Sequence, residues 1–276
     1  MLEMMERTMT QLAFIGFGEV GTRFAADLRM RGGIRVAAFD IRLSDPERGA
    51  KMRQQAESTG VTLAASPADA ARGAAVVFSA VTASQTVVAA EVARGYLLPG
   101  QIFFDINSAA PGTKRRAAAA VHPSGAQYVE GAVMAAVGGP GIAVPILAGG
   151  AAAVALSERL NAIGFAMQPV AEEIGRASAM KLCRSIVIKG LEALMVDCAA
   201  ASRVAGVEAE VYASLAGTYP AIDWAKLAVT MGERVATHGI RRSEEMAEAA
   251  EMLRDIGVDP TLAAAVAAAQ RRGAKR

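Results

Sequence analysis

A chain of 276 residues with 29 basic and 27 acidic side chains carries a formal net charge of +2. That length suits one large or two modest domains, whose core needs no disulfide staples. The near-neutral charge argues against a nucleic-acid partner, for which a clearly basic face is typical. The basic end at residues 271–276 is therefore predicted to be a solvated, frayed tail.

Neither secretion nor membrane insertion is predicted. The first ten residues carry three charged side chains and lack the continuous apolar core of a signal peptide. Residues 131–156 are uncharged, but glycine and proline at 138–141 and 145 would break a membrane-spanning helix. This stretch is predicted to form two buried strands joined by a glycine-rich turn.

Cys183 and Cys198 lie too far apart on one predicted helix to form a disulfide, so they are expected to be buried thiols in a reducing cytoplasm.

The first predicted strand, residues 12–15, leads into a G-x-G-x-x-G turn at 16–21 and then into a helical pattern. In such a turn the first glycine allows the bend, the second lets the backbone approach a pyrophosphate, and the third lets helix and strand pack closely. The phosphates then lie on free N–H groups at the helix N-terminus. The predicted cofactor-binding residues here are Gly16, Phe17, Gly18, Glu19, Val20 and Gly21. An ordinary tight turn is the alternative for an isolated match.

The second predicted strand, residues 35–39, ends at Asp40, nineteen residues after Gly21. An acidic side chain at this place binds the adenosine ribose hydroxyls and favours NAD, because a carboxylate repels the 2′-phosphate of NADP. Arg42 and Arg48 follow closely and keep NADP open. A plain strand-end turn is the alternative for Asp40.

Strands and helices alternate through the rest of the first half. Further strands are predicted at 61–64, 74–81, 101–105, 128–130, 144–148 and 165–170. Helices are predicted at 41–58 and 152–164, together with one that starts at residue 66 and one that ends at residue 94. This alternation predicts a doubly wound, mostly parallel α/β sheet. Ligands of such sheets lie beyond the C-terminal strand ends. The residues expected there, on the nicotinamide side, are Val81, Thr82, Asn107 and Ser108, with turn formation and N-capping as the alternative.

From residue 174 onward the composition predicts only helices, with breaks at 206, 219–220, 239 and 257–260. We therefore predict a dinucleotide-binding domain at 1–173 and an all-helical substrate and dimerisation domain at 174–276. In the helix predicted at 176–204, apolar residues recur at helical spacing on one face: Met180, Cys183, Val187, Leu191, Leu194 and Cys198. Lys181 and Ser185 share another face, where a solvated lysine is the alternative to a functional one.

Together these motifs resemble the β-hydroxyacid dehydrogenase superfamily, which includes 6-phosphogluconate and 3-hydroxyisobutyrate dehydrogenases. The resemblance covers essentially the whole chain. Residues 175–194 and 238–246 are similar to a branch whose C-terminal domain is of unknown function. The resemblance implies a fold of class α/β, with an N-terminal Rossmann sheet followed by an all-α C-terminal domain, and a homodimer.

Three family motifs map onto the chain with different fidelity. The Asp-x-Ser segment near the nicotinamide corresponds to residues 105–108, and the family's catalytic lysine corresponds to Lys181, although Ser185 replaces the usual asparagine. The substrate-binding segment corresponds to 130–136, where Met134, Ala135 and Ala136 replace a serine and two glycines. The loss of a hydroxyl implies a more apolar substrate site and makes 6-phosphogluconate a poor candidate.

A substrate anion needs a cationic partner, and His238 and Arg241, with Arg242, are the candidates. A charged helix start capped by Ser243 is the alternative for this segment.

The resemblance implies an oxidoreductase that transfers a hydride between the nicotinamide of NAD, with NADP possible, and a hydroxy-acid-type alcohol or its carbonyl. Lys181 would be the general acid and base, while Ser185 and Asn107 or Ser108 orient the oxygen. We expect a small anionic substrate, no metal, no nucleic acid and no membrane. Imine reduction on the same scaffold is the nearest alternative, although those enzymes commonly have another residue in place of the lysine. A non-catalytic nucleotide-binding protein is the other.

Overall fold

The computed structural model describes residues 11–274. The predictions for the first ten residues and for the last two residues of the basic tail therefore lie outside the described part of the chain. The chain forms two compact units, which divide between Lys181 and Leu182. The predicted domain boundary at residue 174 lies just before the helix that both units share.

The first unit alternates strands with helices. Its strands are β1 (Gln11–Ile15), β2 (Arg35–Phe39), β3 (Thr62–Leu63), β4 (Val76–Ser79), β5 (Ile102–Asp105), β6 (Gln127–Val133), β7 (Pro145–Gly149) and β8 (Ala166–Ala171). Its helices are α1 (Glu19–Met30), α2 (Pro46–Thr59), α3 (Pro67–Ala71), α4 (Thr86–Ala93), α5 (Pro111–Val121), α6 (Ala153–Asn161) and the first turns of α7 (Arg176–Ala205). The predicted alternation of elements is confirmed.

The strands form a single sheet in the order β3-β2-β1-β4-β5-β6-β7-β8. All neighbours are parallel except β6 and β7, which pair antiparallel. This pair is the predicted pair of buried strands on either side of the glycine-rich turn. The reversal of strand order between β1 and β4 places the switch point of a doubly wound sheet at their C-terminal ends, where such sheets bind ligands. In the core on one face of the sheet, Phe14 stacks on Phe78, and Phe104 packs edge to face against Phe78.

The second unit is entirely helical among its described residues. It contains the remainder of α7, then α8 (Glu208–Thr218), α9 (Trp224–Asp255) and α10 (Thr261–Gly273). The predicted break at Gly239 and the helix start at Ser243 are both wrong, because α9 runs through them without interruption. A Cβ atom at Gly239 would lie 2.3 Å from the carbonyl oxygen of Gln270 on α10. The glycine therefore permits close packing of two helices rather than ending one.

The basic tail is also more ordered than expected. Arg271 and Arg272 belong to α10. Arg271 Nε donates to Ser243 Oγ at 3.3 Å, and Arg272 forms an ion pair with Asp197 at 2.8 Å. The prediction of a frayed end is therefore wrong for this part of the tail.

The predicted apolar face of α7 faces outward in this chain. The side chains of Met180, Val187 and Leu194 are 46%, 68% and 69% exposed. Cys183 is exposed as well and Cys198 is half-buried, so the expectation of two buried thiols is wrong. The buried residues of α7 include the polar side chains Ser185, Lys189 and Glu192, which have partners inside the second unit. They also include the apolar side chains Leu182, Met195 and Ala199. Within residues 11–274 no helix combines the length and the apolar character needed to cross a bilayer.

Candidate functional site

The turn after β1 has the geometry that a dinucleotide requires. Gly16 has a φ of +98°, and a Cβ atom there would lie 2.3 Å from the carbonyl oxygen of Ala80. A Cβ atom at Gly21 would lie 2.2 Å from the carbonyl oxygen of Gly16, so helix α1 packs tightly on the turn. At Gly18, by contrast, an added Cβ would meet no atom of the described chain within 4 Å. The backbone at this residue therefore faces open space.

The N-terminus of α1 is free to bind an anion. Gly18 occupies the N-cap position and provides no side-chain hydrogen bond to the first turn. The first N–H groups of a helix have no intrahelical partner and carry the positive end of the helix dipole. The amides of Glu19, Val20 and Gly21, which precede the first intrahelical bond from Thr22 N to Gly18 O, are thus available to a pyrophosphate beside the open face of Gly18.

Asp40 connects the end of β2 to this turn. Its Oδ2 accepts a hydrogen bond from Phe17 N at 2.8 Å, and its Oδ1 accepts one from Arg42 N at 2.8 Å. The side chain is largely buried. Each carboxylate oxygen keeps a second lone pair, so the group remains able to accept from ribose hydroxyls.

A cavity of about 600 Å³ lies beside this turn, between α1 and α2. Its lining includes Gly18 together with the basic residues Arg42, Arg48 and Lys51. Lys51 forms an exposed ion pair with Glu47. A lining of this charge is compatible with a 2′-phosphate, so the local electrostatics do not exclude NADP.

The C-terminal ends of β4 and β5 are joined by one side chain. Asn107 Oδ1 accepts from Val81 N at 2.7 Å, and Asn107 Nδ2 donates to Ser79 Oγ at 3.0 Å. Val81 and Asn107, two of the predicted residues, are therefore in direct contact. Ser108 Oγ is buried and finds no hydrogen-bond partner among residues 11–274. Thr82 Oγ1 instead lies 3.2 Å from Ser84 Oγ, outside this group.

Sequence reasoning missed a buried polar network beside Asn107. Lys114 Nζ lies 2.7 Å from Asp105 Oδ1, and Tyr128 donates its hydroxyl hydrogen to Asp105 Oδ2 at 2.5 Å. Burial, followed by the negative charge of Asp105, raises the pKa of the Tyr128 phenol well above its ordinary value. The phenol therefore stays protonated and remains a donor at neutral pH. Nothing in the sequence distinguishes Lys114 from its neighbours Arg115 and Arg116, which read as a charged helix face.

The helix that carries Lys181 is anchored to the sheet by Glu130. This buried carboxylate accepts hydrogen bonds from Gly175 N at 2.7 Å, Ala177 N at 3.0 Å and Ser178 Oγ at 2.5 Å. An anion at a helix N-terminus satisfies free N–H groups and interacts favourably with the helix dipole. Lys181 follows in the second turn of α7 and is half-buried. Its position is thus fixed by a side chain from the middle of β6.

The predicted substrate segment follows Glu130 directly. Met134 N donates to the carbonyl oxygen of Pro145 at 2.9 Å, and the side chain of Met134 is half-buried. Ala135 and Ala136 are exposed. The first part of the segment therefore belongs to β6, and the chain leaves the sheet after Val133.

The remaining predicted residues lie in the second unit. Ser185 donates to Glu245 Oε1 at 2.6 Å and accepts from Lys189 Nζ at 3.1 Å, while Lys189 pairs with Glu245 at 2.8 Å. No pattern in the sequence indicates these two partners of Ser185. His238 and Arg241 are exposed on α9.

Arg242 differs from its neighbour Arg241. It forms an ion pair with Glu192, whose side chain is fully buried. The guanidinium of Arg242 is therefore engaged inside the helical unit, which leaves Arg241 as the exposed arginine of the pair.

Comparisons with known proteins agree with this architecture. Residues 11–164 match the family model described as the NAD binding domain of 6-phosphogluconate dehydrogenase. Residues 201–273 match a domain of unknown function, DUF1932. Among curated proteins no sequence match was found.

Several solved structures match this chain over most of its length. A conserved hypothetical protein from Sinorhizobium meliloti 1021 is 37% identical, with 97% of this chain and 89% of that chain covered and a TM-score of 0.81. A conserved protein of unknown function, described as structurally similar to 3-hydroxyacid dehydrogenases, is 30% identical over 95% and 97% of the two chains, with a TM-score of 0.74. The 3-hydroxyisobutyrate dehydrogenase of Mycobacterium tuberculosis is 17% identical over 96% and 93%, with a TM-score of 0.77, and shares the fold. An imine reductase from Aspergillus terreus shares it too, at 22% identity.

Proposed function

The chain belongs to the family built on the NAD-binding domain of 6-phosphogluconate dehydrogenase, and from this premise we propose that it oxidises a small anionic hydroxy acid, or reduces the corresponding carbonyl compound, with NAD(P). The observation that carries the proposal is the turn at Gly16, Phe17 and Gly18, with its open face and the uncapped start of α1. Asp40, bonded to that turn, is assigned to the adenosine ribose. These residues fit a dinucleotide because they combine an anion site with a carboxylate that retains acceptor capacity.

Bound nicotinamide supplies the hydride acceptor or donor. We assign Lys181 as the general base that takes the hydroxyl proton in oxidation and returns it in reduction. Glu130 holds the helix start so that Lys181 keeps one position relative to the sheet. Asn107 or Ser108 is assigned to the orientation of the substrate oxygen. Ser185 joins them only as an acceptor, because its hydroxyl hydrogen is donated to Glu245 and one lone pair remains. Met134, Ala135 and Ala136 would form an apolar wall without hydroxyl donors.

The anionic end of the substrate is assigned to Arg241 and His238. Arg241 is exposed, and its planar guanidinium can bind a carboxylate through two parallel hydrogen bonds. His238 lies one helical turn earlier on α9. Arg242 is not assigned, because its charge is already paired with buried Glu192.

The test begins with calorimetric titration of the purified chain with NAD⁺, NADH, NADP⁺ and NADPH. We expect tight binding of NAD(H), weakened by Asp40→Ala, with NADP(H) also accepted beside Arg42 and Arg48. Hydroxy acids and their keto forms are then screened through nicotinamide absorbance. No binding of any of the four dinucleotides would contradict the proposal from its first step.

Lys181→Met tests the chemistry. Removal of a general base typically costs about 10² to 10⁴ in turnover, and we expect that loss with an unchanged cofactor Kd. Lys226→Met, at an exposed lysine of α9, is the control and should keep wild-type turnover. Near-normal turnover of Lys181→Met would reject this assignment. Turnover of imines without turnover of hydroxy acids would favour the reductase alternative, and cofactor binding without either would favour a non-catalytic protein.

We further propose a homodimer in a reducing cytoplasm. The second unit exposes large apolar side chains, among them Val187, Leu194, Val229 and Leu262, which a second copy would bury. Cys183 and Cys198 are both free thiols, which supports a reducing compartment.

A further inference from the structure

A fully buried ion pair lies at the C-terminal end of β5, among residues that carry no role in the proposed function. The side chains of Lys114 and Asp105 are 0% exposed, and Lys114 Nζ lies 2.7 Å from Asp105 Oδ1. Replacement of a buried ion pair by packed apolar side chains is often neutral or stabilising. Stability alone therefore does not explain why this pair is present.

Asp105 is the hub of the network. Its Oδ1 accepts from Lys114 Nζ and also from Asn107 N at 2.9 Å, while its Oδ2 accepts from Tyr128. Lys114 Nζ additionally donates to the backbone carbonyl of Asp105 at 3.0 Å. Lys114 of α5 and Tyr128 of β6 thus hold the carboxylate of Asp105, and Lys114 also holds its backbone carbonyl, at the start of the turn at 105–107.

The network continues from this turn to the neighbouring strand. The side chain of Asn107 bonds to Val81 N and to Ser79 Oγ, at the end of β4. The next residue, Ser108, has a buried hydroxyl without a partner in the described chain. Because ligands of open α/β sheets lie beyond these strand ends, the network terminates where the nicotinamide half of a dinucleotide is expected.

We propose that Lys114 and Tyr128, acting through Asp105, are positioning residues for the nicotinamide half of the cofactor site. The inference rests on the proposed function, and neither residue touches the ligand. The ADP-ribose half depends on different residues, the turn at 16–21 and Asp40. Loss of the network should therefore weaken binding of the whole dinucleotide and leave binding of ADP-ribose unchanged.

The test compares NADH with ADP-ribose, by calorimetric titration of the full chain and of Lys114→Met. We expect the Kd for NADH to rise at least about fivefold, the equivalent of one lost hydrogen bond, while the Kd for ADP-ribose changes by less than about twofold. If the wild type binds NADPH more tightly than NADH, the titrations use NADPH and ADP-ribose 2′-phosphate in place of NADH and ADP-ribose. Tyr128→Phe removes one hydroxyl and keeps the ring, so it provides the same comparison if Lys114→Met does not fold.

Gln101→Met is the matched control. Gln101 is also buried and lies just before the other end of β5, where it donates to the carbonyl oxygens of Ala71 and Ala74 at 2.9 and 2.8 Å. The variant should lower the unfolding temperature without changing the ratio of the two Kd values. If the wild type binds NADH and the ratio of the two Kd values is unchanged in Lys114→Met and Tyr128→Phe, this inference is overturned and the proposed function is not. Failure of the wild type to bind NADH and NADPH would overturn the proposed function as well.

Discussion

At Gly16 the left-handed backbone and the carbonyl of Ala80 leave no room for a side chain, whereas at Gly18 an added methyl group would meet no atom of the described chain. A substitution at Gly16 should therefore affect the stability of the fold, whereas one at Gly18 should affect ligand binding. We expect Gly16→Ala to cost about 2 kcal/mol or more in unfolding free energy, because an L side chain is disfavoured at positive φ and the Cβ also meets backbone. Urea unfolding measures this loss.

Gly18→Ala should keep the unfolding free energy within about 0.5 kcal/mol of the wild type, since the site is open. It should weaken NADH binding about tenfold, an effect of about 1.4 kcal/mol, because the methyl group occupies the approach of the pyrophosphate. Calorimetry on the folded variant checks this outcome. Wild-type affinity in Gly18→Ala would show that the phosphates do not lie against this residue.

Residue-scale prediction from sequence succeeds where a residue type has few structural uses. The spacing of Gly16, Gly18 and Asp40 is tied to one kind of turn, and Asp40 accepts a hydrogen bond from Phe17 N, between the two glycines. Lys114 gives no such signal, because a lysine beside two arginines usually marks a solvated helix face. Only the packing of α5 on the sheet shows that Lys114 points inward to Asp105.

At the scale of elements, strands were predictable because buried parallel strands form short apolar runs bounded by turn residues. Gly239 in α9 was misread because glycine has low helix propensity and is common at helix ends. The contact that explains it comes from Gln270, 31 residues further along the chain, and no local pattern reports it. The burial of Ser185, Lys189 and Glu192 on α7 gives no local signal either, because their partners Glu245 and Arg242 lie 50 residues or more further along the chain.

This reading of α9 predicts opposite effects of one substitution at two glycines of the same helix. Gly239→Ala should destabilise the fold by about 1 to 3 kcal/mol, because its Cβ would overlap the α10 backbone. Gly232→Ala should stabilise it by about 0.5 to 1 kcal/mol through helix propensity, since a Cβ there meets no described atom within 4 Å. Chemical denaturation of both variants checks the pair. Equal effects would contradict the close contact at Gly239.

At the scale of the whole molecule, the outward apolar face of α7 is the feature that a single chain leaves unexplained. A groove of about 950 Å³ between α7, α8 and α9, lined largely by alanine and valine, adds to the exposed apolar surface of the helical unit. A stable interface buries about 800 Å² on each partner, with apolar side chains concentrated at its centre. The apolar spacing along α7 is accounted for if a second copy covers this face.

Val187→Glu tests this assembly. Light scattering at micromolar concentration should give twice the 28.4 kDa chain mass for the wild type. The variant should give the monomer mass, because a carboxylate buried without a partner in an interface costs several kcal/mol. Val92→Glu is the control, since Val92 is an exposed valine on a helix of the first unit, 52% exposed compared with 68% for Val187. A monomeric wild type would contradict the homodimer. A dimer that survives Val187→Glu and is lost in Val92→Glu would place the interface on α4 and not on α7.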